Sequence, residues 1–401
     1  MNFTRNTLTL ILFSACFALT APADDPTVTD ISVRQRWPWS RLVDIDYVLN
    51  GDAAQRIDIA VSASDGSVPL TLPITSLSGD LYSVSPGQRR IVWDPTRSAY
   101  TNNILTRFSV SLTPTLTPLY MVIDLTKTAG AAGQIEHIYE SDLASGTYGT
   151  VATNPVNGIS SIAWTGVTNN PIYRDTHLVL RRVRAGYVVT ETNNTITVER
   201  DYYIAVFEFT QHQWMRIAGS YPNSKFATDK ECPVERAASY NTLRGSTGNG
   251  IDWPSTGGQV SSNSFIAQVR TITGVAHVDL PDNAQWEYAC RAGTSTLYHD
   301  NDPAATTAVN NLRALARFGV GENGPTARVG SYQPNAWGIY DMHGNVQEWT
   351  LDSNGAGNRI RRGGSFIYGA ERCTSSFSNA STPNDTDGYA INGFRLVINL
   401  D

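Results

Sequence analysis

The fifteen residues from Asn335 to Trp349, N-A-W-G-I-Y-D-M-H-G-N-V-Q-E-W, set two carboxylates and a histidine among three aromatics and two glycines. If the chain between Asp341 and Glu348 curls, both can turn oxygens toward one centre, and Gly344 gives the backbone the freedom to curl. Carboxylates supplemented by backbone carbonyls are how proteins bind a hard cation such as calcium. The same residues also suit an aromatic-rich loop whose carboxylates pair with nearby arginines. His343 lies inside the stretch, but calcium prefers oxygen, so its expected part is to orient the loop or line a groove. His137, His177, His212, His277 and His299 show no paired spacing that suits zinc. No G-x-S-x-G, P-loop or H-E-x-x-H is present.

No helical or alternating period fits 335–349, so it reads as an ordered loop that other elements must hold. Upstream, Tyr202 to Phe209 reads as a strand running into Thr210, which is placed to N-cap a helix over Gln211 to Ala218. Phe265, Ile266, Val269 and Ile272 recur at helical spacing, so Ser262 to Thr273 is expected to be an amphipathic helix. Leu280-Pro281 opens another, with Pro281 in its first turn, Trp286, Tyr288, Ala289 and Cys290 behind it, and Gly293 as its stop.

A chain of 401 residues exceeds one ordinary core and implies two or three domains. Thr, Val, Ile, Tyr and Gly are abundant and helix formers sparse, which favours a β-rich protein. The net charge is -6 and the 30 Lys and Arg residues are scattered, which argues against a nucleic-acid partner. Arg5, the mostly apolar run Leu8 to Leu19 and the A-x-A site Ala21-Pro22-Ala23 form an export signal over residues 1–23. That run is too short to span a bilayer, and no later segment reaches the required ~20 apolar residues, so no transmembrane segment is expected. The protein is expected to be secreted, periplasmic or held at the cell envelope. Cys16 follows Phe13-Ser14-Ala15, only a loose likeness to a lipoprotein box, and lipidation is the lesser expectation. Cys232, Cys290 and Cys373 are left, an odd number, allowing at most one internal disulfide.

Residues 24–118 alternate in short strand-like runs separated by Asn50-Gly51-Asp52, Asp65-Gly66-Ser67 and Ser85-Pro86-Gly87. That is the spacing of an all-β sandwich of immunoglobulin or fibronectin type. Trp37 and Trp39, flanking Pro38, offer a ligand platform, although such pairs more often pack in a core or between domains. In 119–184, Y-M-V-I-D-L and H-L-V-L-R-R-V look like strands around loop-rich sequence, a bridge that could lend a strand to each neighbour.

Six motifs then occur in order over 185–401: D-Y-Y-I-A-V-F-E-F-T-Q-H-Q-W, P-V-E-R-A-A-S-Y-N, D-L-P-D-N-A-Q-W-E-Y-A-C-R-A-G-T, V-G-S-Y-Q-P-N-A-W-G-I-Y-D-M-H-G-N-V-Q-E-W, R-R-G-G-S-F and G-F-R-L-V. Together they resemble the formylglycine-generating enzyme, or sulfatase-modifying factor, family. The resemblance implies an α+β C-type-lectin-like domain, often stabilised by calcium. It implies Asp341 and Glu348 as side-chain calcium ligands, with carbonyls from Gly344 and Val346. A second calcium site would involve Asn311, where the following sequence diverges.

The activity the resemblance implies is oxidation of a sulfatase cysteine to formylglycine with oxygen and copper(I), the metal held by two thiolates of a C-x4-C motif after G-G-S. Here Tyr368 occupies the first cysteine position and Cys373 the second, with Ser365 closing the G-G-S. A phenol is a hard, mostly protonated ligand and does not replace a thiolate, so copper is not expected. Gln347 also stands where the family commonly has an aromatic. Cys373 is open to two readings. One is a reactive thiol whose pKa is lowered by Arg372. The other, favoured by an oxidising compartment, is a disulfide with Cys290, shifted from the family pairing, which leaves Cys232 as the odd cysteine. Three functions follow: a non-catalytic binding or scaffolding module for a protein or carbohydrate ligand, a divergent oxidoreductase acting through Cys373 with Tyr368 and Ser365 beside it, or a structural envelope role.

Overall fold

The computed structural model describes residues 25–400 except 54, 74–75, 101–106, 145–148, 154–159, 227, 247–258, 303–307, 323 and 385–390. The export signal over 1–23 and Cys16 lie outside the described residues.

The first seven strands are β1 (Thr27–Gln35), β2 (Val43–Asn50), β3 (Asp58–Asp65), β4 (Val68–Leu70), β5 (Leu77–Gly79), β6 (Gly87–Trp93) and β7 (Phe108–Thr115). They form two antiparallel sheets, ordered β1-β2-β6-β5 and β4-β3-β7. Alternation along each strand sends one face inward. Ile45, Tyr47, Ile59, Ile91, Trp93 and Leu112 thereby close one core between the sheets. The expected turn at Asp65-Gly66-Ser67 is the β3–β4 hairpin, with Gly66 at φ 63°. Trp37 and Trp39 pack in neither core nor interface. They are 64% and 90% exposed, because they sit on the turn after an edge strand that is itself exposed along most of its length.

The chain continues through β8 (Tyr120–Asp124), β9 (Ile135–Ile138), α1 (Glu140–Ala144), the hairpin β10 (Gly149–Thr153) and β11 (Ser160–Trp164), and α2 (Ile172–Asp175). Then come β12 (His177–Val183), the hairpin β13 (Gly186–Val189) and β14 (Thr195–Val198), and β15 (Tyr202–Ala205). Helices α3 (Gln211–Ala218), α4 (Tyr240–Arg244) and α5 (Phe265–Thr273) lead to β16 (Val278–Asp279), α6 (Asn283–Arg291) and α7 (Ala308–Leu315). The last strands are β17 (Gln347–Ser353), β18 (Arg359–Arg362), β19 (Ser378–Ser381), β20 (Asn392–Gly393) and β21 (Val397–Asn399).

A six-stranded antiparallel sheet, β16-β21-β15-β12-β8-β9, is the centre of this half. Residues 119–184 therefore give three strands to one neighbour and none to the sandwich. Successive residues of its strands face opposite ways, and both faces are covered. Leu178, Leu180 and Tyr203 meet α3 and α5, whereas Tyr202, Ile204 and Val397 meet α6 and the loop residues Trp337, Ile339 and Met342. Thr210 caps α3 in a capping box with Gln213, as its sequence suggests. Helix α5 starts at Phe265, later than Ser262, because Ser264 caps it. Helix α6 likewise begins after Pro281, with Asp282 and Gln285 forming the capping box. A second sheet, β19-β18-β17-β20, carries the end of the carboxylate-bearing loop in β17.

Candidate functional site

The loop is pinned to α6 by Asn335. Its amide donates to the carbonyls of Ala289 (2.7 Å) and Cys290 (3.2 Å), while its Oδ1 accepts from the amides of Trp337 and Ile339. Gly344, at φ 75°, runs against Arg317, and a Cβ there would lie 2.2 Å from the Arg317 carbonyl oxygen. This contact admits only glycine.

The two carboxylates of the loop meet a third, Glu208, and one guanidinium, Arg395, all four buried. Arg395 grips Glu348 in a fork, Nε to Oε2 at 2.7 Å and Nη2 to Oε1 at 2.6 Å. Trp286 Nε1 adds a third bond, to Oε2, at 2.6 Å. The remaining Arg395 donors reach the carbonyls of Ala205 and Tyr340, both at 3.0 Å. Glu208 accepts from the Val346 amide (3.0 Å) and the Asn345 side chain (2.6 Å). Asp341 accepts from the Gly330 amide through Oδ2 at 2.7 Å, and its Oδ1 has no partner. Three carboxylates against one guanidinium leave surplus negative charge in a dry interior. Burial, with Asp341 and Glu348 nearby, lifts the Glu208 carboxyl well above its ordinary range, and burial pushes Asp341 up to about 6.

Both oxygens of Glu348, expected as a calcium ligand, are thus engaged by protein donors. Among the described residues no group of three His, Cys, Asp or Glu side chains is arranged to hold a metal ion. In this arrangement the counter-charge at Glu348 is the Arg395 guanidinium. Asn311, the candidate for a second cation site, donates instead to Asp302 at 2.8 Å.

A second buried cluster surrounds the other singled-out segment. Gly363 and Gly364 have φ values of 86° and 73°, and a Cβ on Gly364 would lie 2.7 Å from Cys373 Sγ. Cys373 is fully buried, with Sγ 3.9 Å from the Ser365 carbonyl, and Ser365 Oγ is buried without a partner. His343 Nδ1 lies 2.7 Å from the Cys373 carbonyl, which can only accept, so Nδ1 carries the proton and Nε2 accepts the His299 amide at 3.2 Å. Cys290 Sγ lies 4.0 Å from the same Nε2. His299, unpaired by sequence spacing, stacks on His343 with ring centroids 4.7 Å apart. Burial drives His343 well below its usual range and His299 down to about 4, so both rings are neutral at neutral pH.

Two expectations for Cys373 are corrected here. Cys232, Cys290 and Cys373 are all free and buried, so the shifted disulfide is not formed; the His343 ring, bonded toward both segments, packs between them. Nor is Cys373 an activated thiol: burial pushes it up to about 12, and the Arg372 guanidinium lies over the Tyr368 ring, 5.1 Å from its centroid. Gln347 is buried with neither side-chain heteroatom partnered.

Sequence reasoning missed Arg395, Glu208 and Trp286 as partners of the loop. A signal was present: a lone charge inside an apolar run, as in Phe207-Glu208-Phe209 and Phe394-Arg395-Leu396, is a buried charge in need of a counter-charge. A separate cleft of ≈ 800 Å³ beside the start of α6 shares no residue with either cluster. Several of its charged groups serve the fold: Arg270 pairs with Asp279, and Asp282 caps α6.

Against known proteins, residues 177–400 match the sulfatase-modifying factor enzyme 1-like domain. The chaperone protein LppX of Paenibacillus barcinonensis is 29% identical over 197 residues, 42% of this chain and 70% of that protein. The formylglycine-generating enzymes of Mus musculus and Streptomyces coelicolor are 29% and 30% identical over 144 and 147 residues, covering 29% and 30% of this chain. The chain spans less than half the length of those two enzymes, 38% and 47%. With the match covering more than half of its length, the chain belongs to the sulfatase-modifying factor enzyme 1-like domain family.

Proposed function

We propose that this protein is an exported binding or scaffolding module of the cell envelope, carried on a C-type-lectin-like domain without the family's oxidase chemistry. The observation that carries the reading is at the C-x4-C position. Its one thiol, Cys373, is buried and raised to about 12, and the partner position holds Tyr368 against Arg372. Copper(I) is served by two soft sulfurs and not by a thiol and a phenol. The N-terminal sandwich is read as an immunoglobulin- or fibronectin-like spacer, and the ligand as protein or carbohydrate met by loops on a rigid base.

The test is incubation of the purified protein with copper(I), oxygen and a peptide bearing the C-x-P-x-R cysteine, followed by mass spectrometry. No aldehyde product is expected. Turnover that Cys373→Ser abolishes would establish the competing reading, an oxidoreductase acting through Cys373.

A further inference from the structure

The sandwich has edges at β1, β5, β4 and β7. An open edge offers unpaired amides and carbonyls to any other strand, and proteins blunt it with short strands, bulges or charges. β4 and β5 are three residues each. β1 carries Asp30 and Arg34, and a bulge breaks its ladder where Asp30 turns to φ 52°. β7 differs: it runs eight residues, F-S-V-S-L-T-P-T, in unbroken register with β3, and holds no charged side chain. Pro114, near its end, is its one blunting residue.

The Arg107 carbonyl accepts the Gly66 amide at 3.0 Å, which extends the β3 ladder and turns the odd-numbered backbone groups of β7 toward β3. Direction alternates along a strand, so the amides and carbonyls of Phe108, Val110 and Leu112 point to the open edge. Pro114 falls in that set, where its missing N–H costs no bond to β3. On the outer face Ser109, Ser111, Thr113 and Thr115 are exposed, while Phe108, Val110 and Leu112 turn to the core between the sheets. Around Ser111 the sequence reads nearly the same both ways: Val110 mirrors Leu112, Ser109 mirrors Thr113 and Phe108 mirrors Pro114.

We propose that two copies of this chain pair antiparallel through β7, with Ser111 on the two-fold axis. Such a contact is isologous, so the same patch must complement itself. In this register apolar residues meet apolar ones and hydroxyls meet hydroxyls, and no like charges oppose each other. The outer face already makes such a hydroxyl pair within the chain, Ser64 Oγ to Ser109 Oγ at 2.8 Å. The strand of a different protein would find no charge on β7 to read, whereas a second copy matches it position by position.

The test is sedimentation equilibrium of the chain without residues 1–23, from about 1 to about 300 µM. One strand pair buries less than the ~1,600 Å² of a standard interface, so a reversible dimer at the upper concentrations is expected. Ser111→Lys places like charges opposite each other on the axis, from an exposed position. It is expected to weaken the dimer by roughly five-fold, less in high salt, with an unchanged melting curve. Partners in a non-hydrogen-bonded pair lie ~4.5 Å apart at Cα, within disulfide reach. Ser111→Cys is therefore expected to give a covalent dimer under mild oxidation, and Ser109→Cys, which faces Thr113, is not. A monomer at every concentration overturns the proposal and leaves β7 to the strand of another protein. A dimer that Ser111→Lys leaves equally tight, or one cross-linked by Ser109→Cys in place of Ser111→Cys, overturns it as well.

Discussion

Asp341 shows how a single buried carboxylate sets a pH dependence. Its folded-state pKa is raised to about 6 by burial, so the native state holds the proton more tightly than the unfolded chain does. The resulting stabilisation is fully present below the unfolded value near 4 and is lost as pH rises through about 6. At pH 8 the ionised carboxylate, with Oδ1 unpartnered, is a cost. Asp341→Asn keeps an acceptor for the Gly330 amide and suits the left-handed backbone there, φ 57°. It is expected to stabilise the protein by on the order of 1–3 kcal/mol at pH 8 and by much less at pH 4, read from urea unfolding. A loss of stability at pH 8, deeper when calcium is added to both proteins, would show that a cation balances the cluster after all. His299 works in the opposite sense. Its folded-state pKa is lowered to about 4, so stability falls as pH drops from about 6.5, where the unfolded imidazole takes its proton, toward that value.

The loop from Asn335 to Val346 is irregular, and its shape depends on the elements around it: α6 through Asn335, the strand-end carbonyls of Ala205 and Val206 through Arg395, and β17 through Glu348. Arg395 joins two of these pieces, the strand end and β17, to the loop's own Tyr340 carbonyl with one planar fork of donors. Replacing it by methionine leaves three carboxylates buried without a counter-charge. Arg395→Met is expected to cost about 3–5 kcal/mol or to prevent folding, measured by denaturant midpoint. Because Glu348 would also be stranded, adding Glu348→Gln to that variant should restore part of the loss. A double variant no more stable than the single one would rule out the pair as the organiser of the loop. The helix ends that sequence reading placed too early, at Ser262 and Pro281, were displaced for a local reason. Ser264 and Asp282 accept the amides of Ala267 and Gln285, so capping chose the start.

The sandwich is docked on the C-terminal half by charges. Arg182 reaches Asp58 at 2.6 Å, Arg184 reaches Asp58 at 3.2 Å and Glu140 at 2.8 Å, and Thr117 donates to Asp58 at 2.9 Å. Ser83 of the sandwich also bonds Glu140. Burial works to raise the Asp58 carboxyl, but Arg184 and Arg182 outweigh it and hold it below its ordinary value. Its contribution is present above the unfolded value near 4 and is lost as pH falls through the folded one. Asp58→Asn is expected to loosen the junction by a few kcal/mol and split calorimetric unfolding into two transitions, with the sandwich melting on its own. An unchanged single transition would mean that apolar contacts hold the two parts together.

The sequence alone determined the β-rich class, the hairpin at Gly66, the capped helix after Thr210 and the family motifs, because these rest on local period, turn chemistry and residue order. It left the loop from Asn335 to Trp349 divided between a cation and an arginine, and only the tertiary structure showed which arginine reaches it. That residue, Arg395, is 47 positions from Glu348 in the chain and is brought to it by β20, which pairs with β17, and β21, which pairs with β15. The same holds for Cys290 and Cys373. Their types and compartment favoured a bond, but both thiols are free in the folded interior, where His343 meets the Cys290 sulfur on one side and the Cys373 carbonyl on the other, contacts that spacing along the chain does not set.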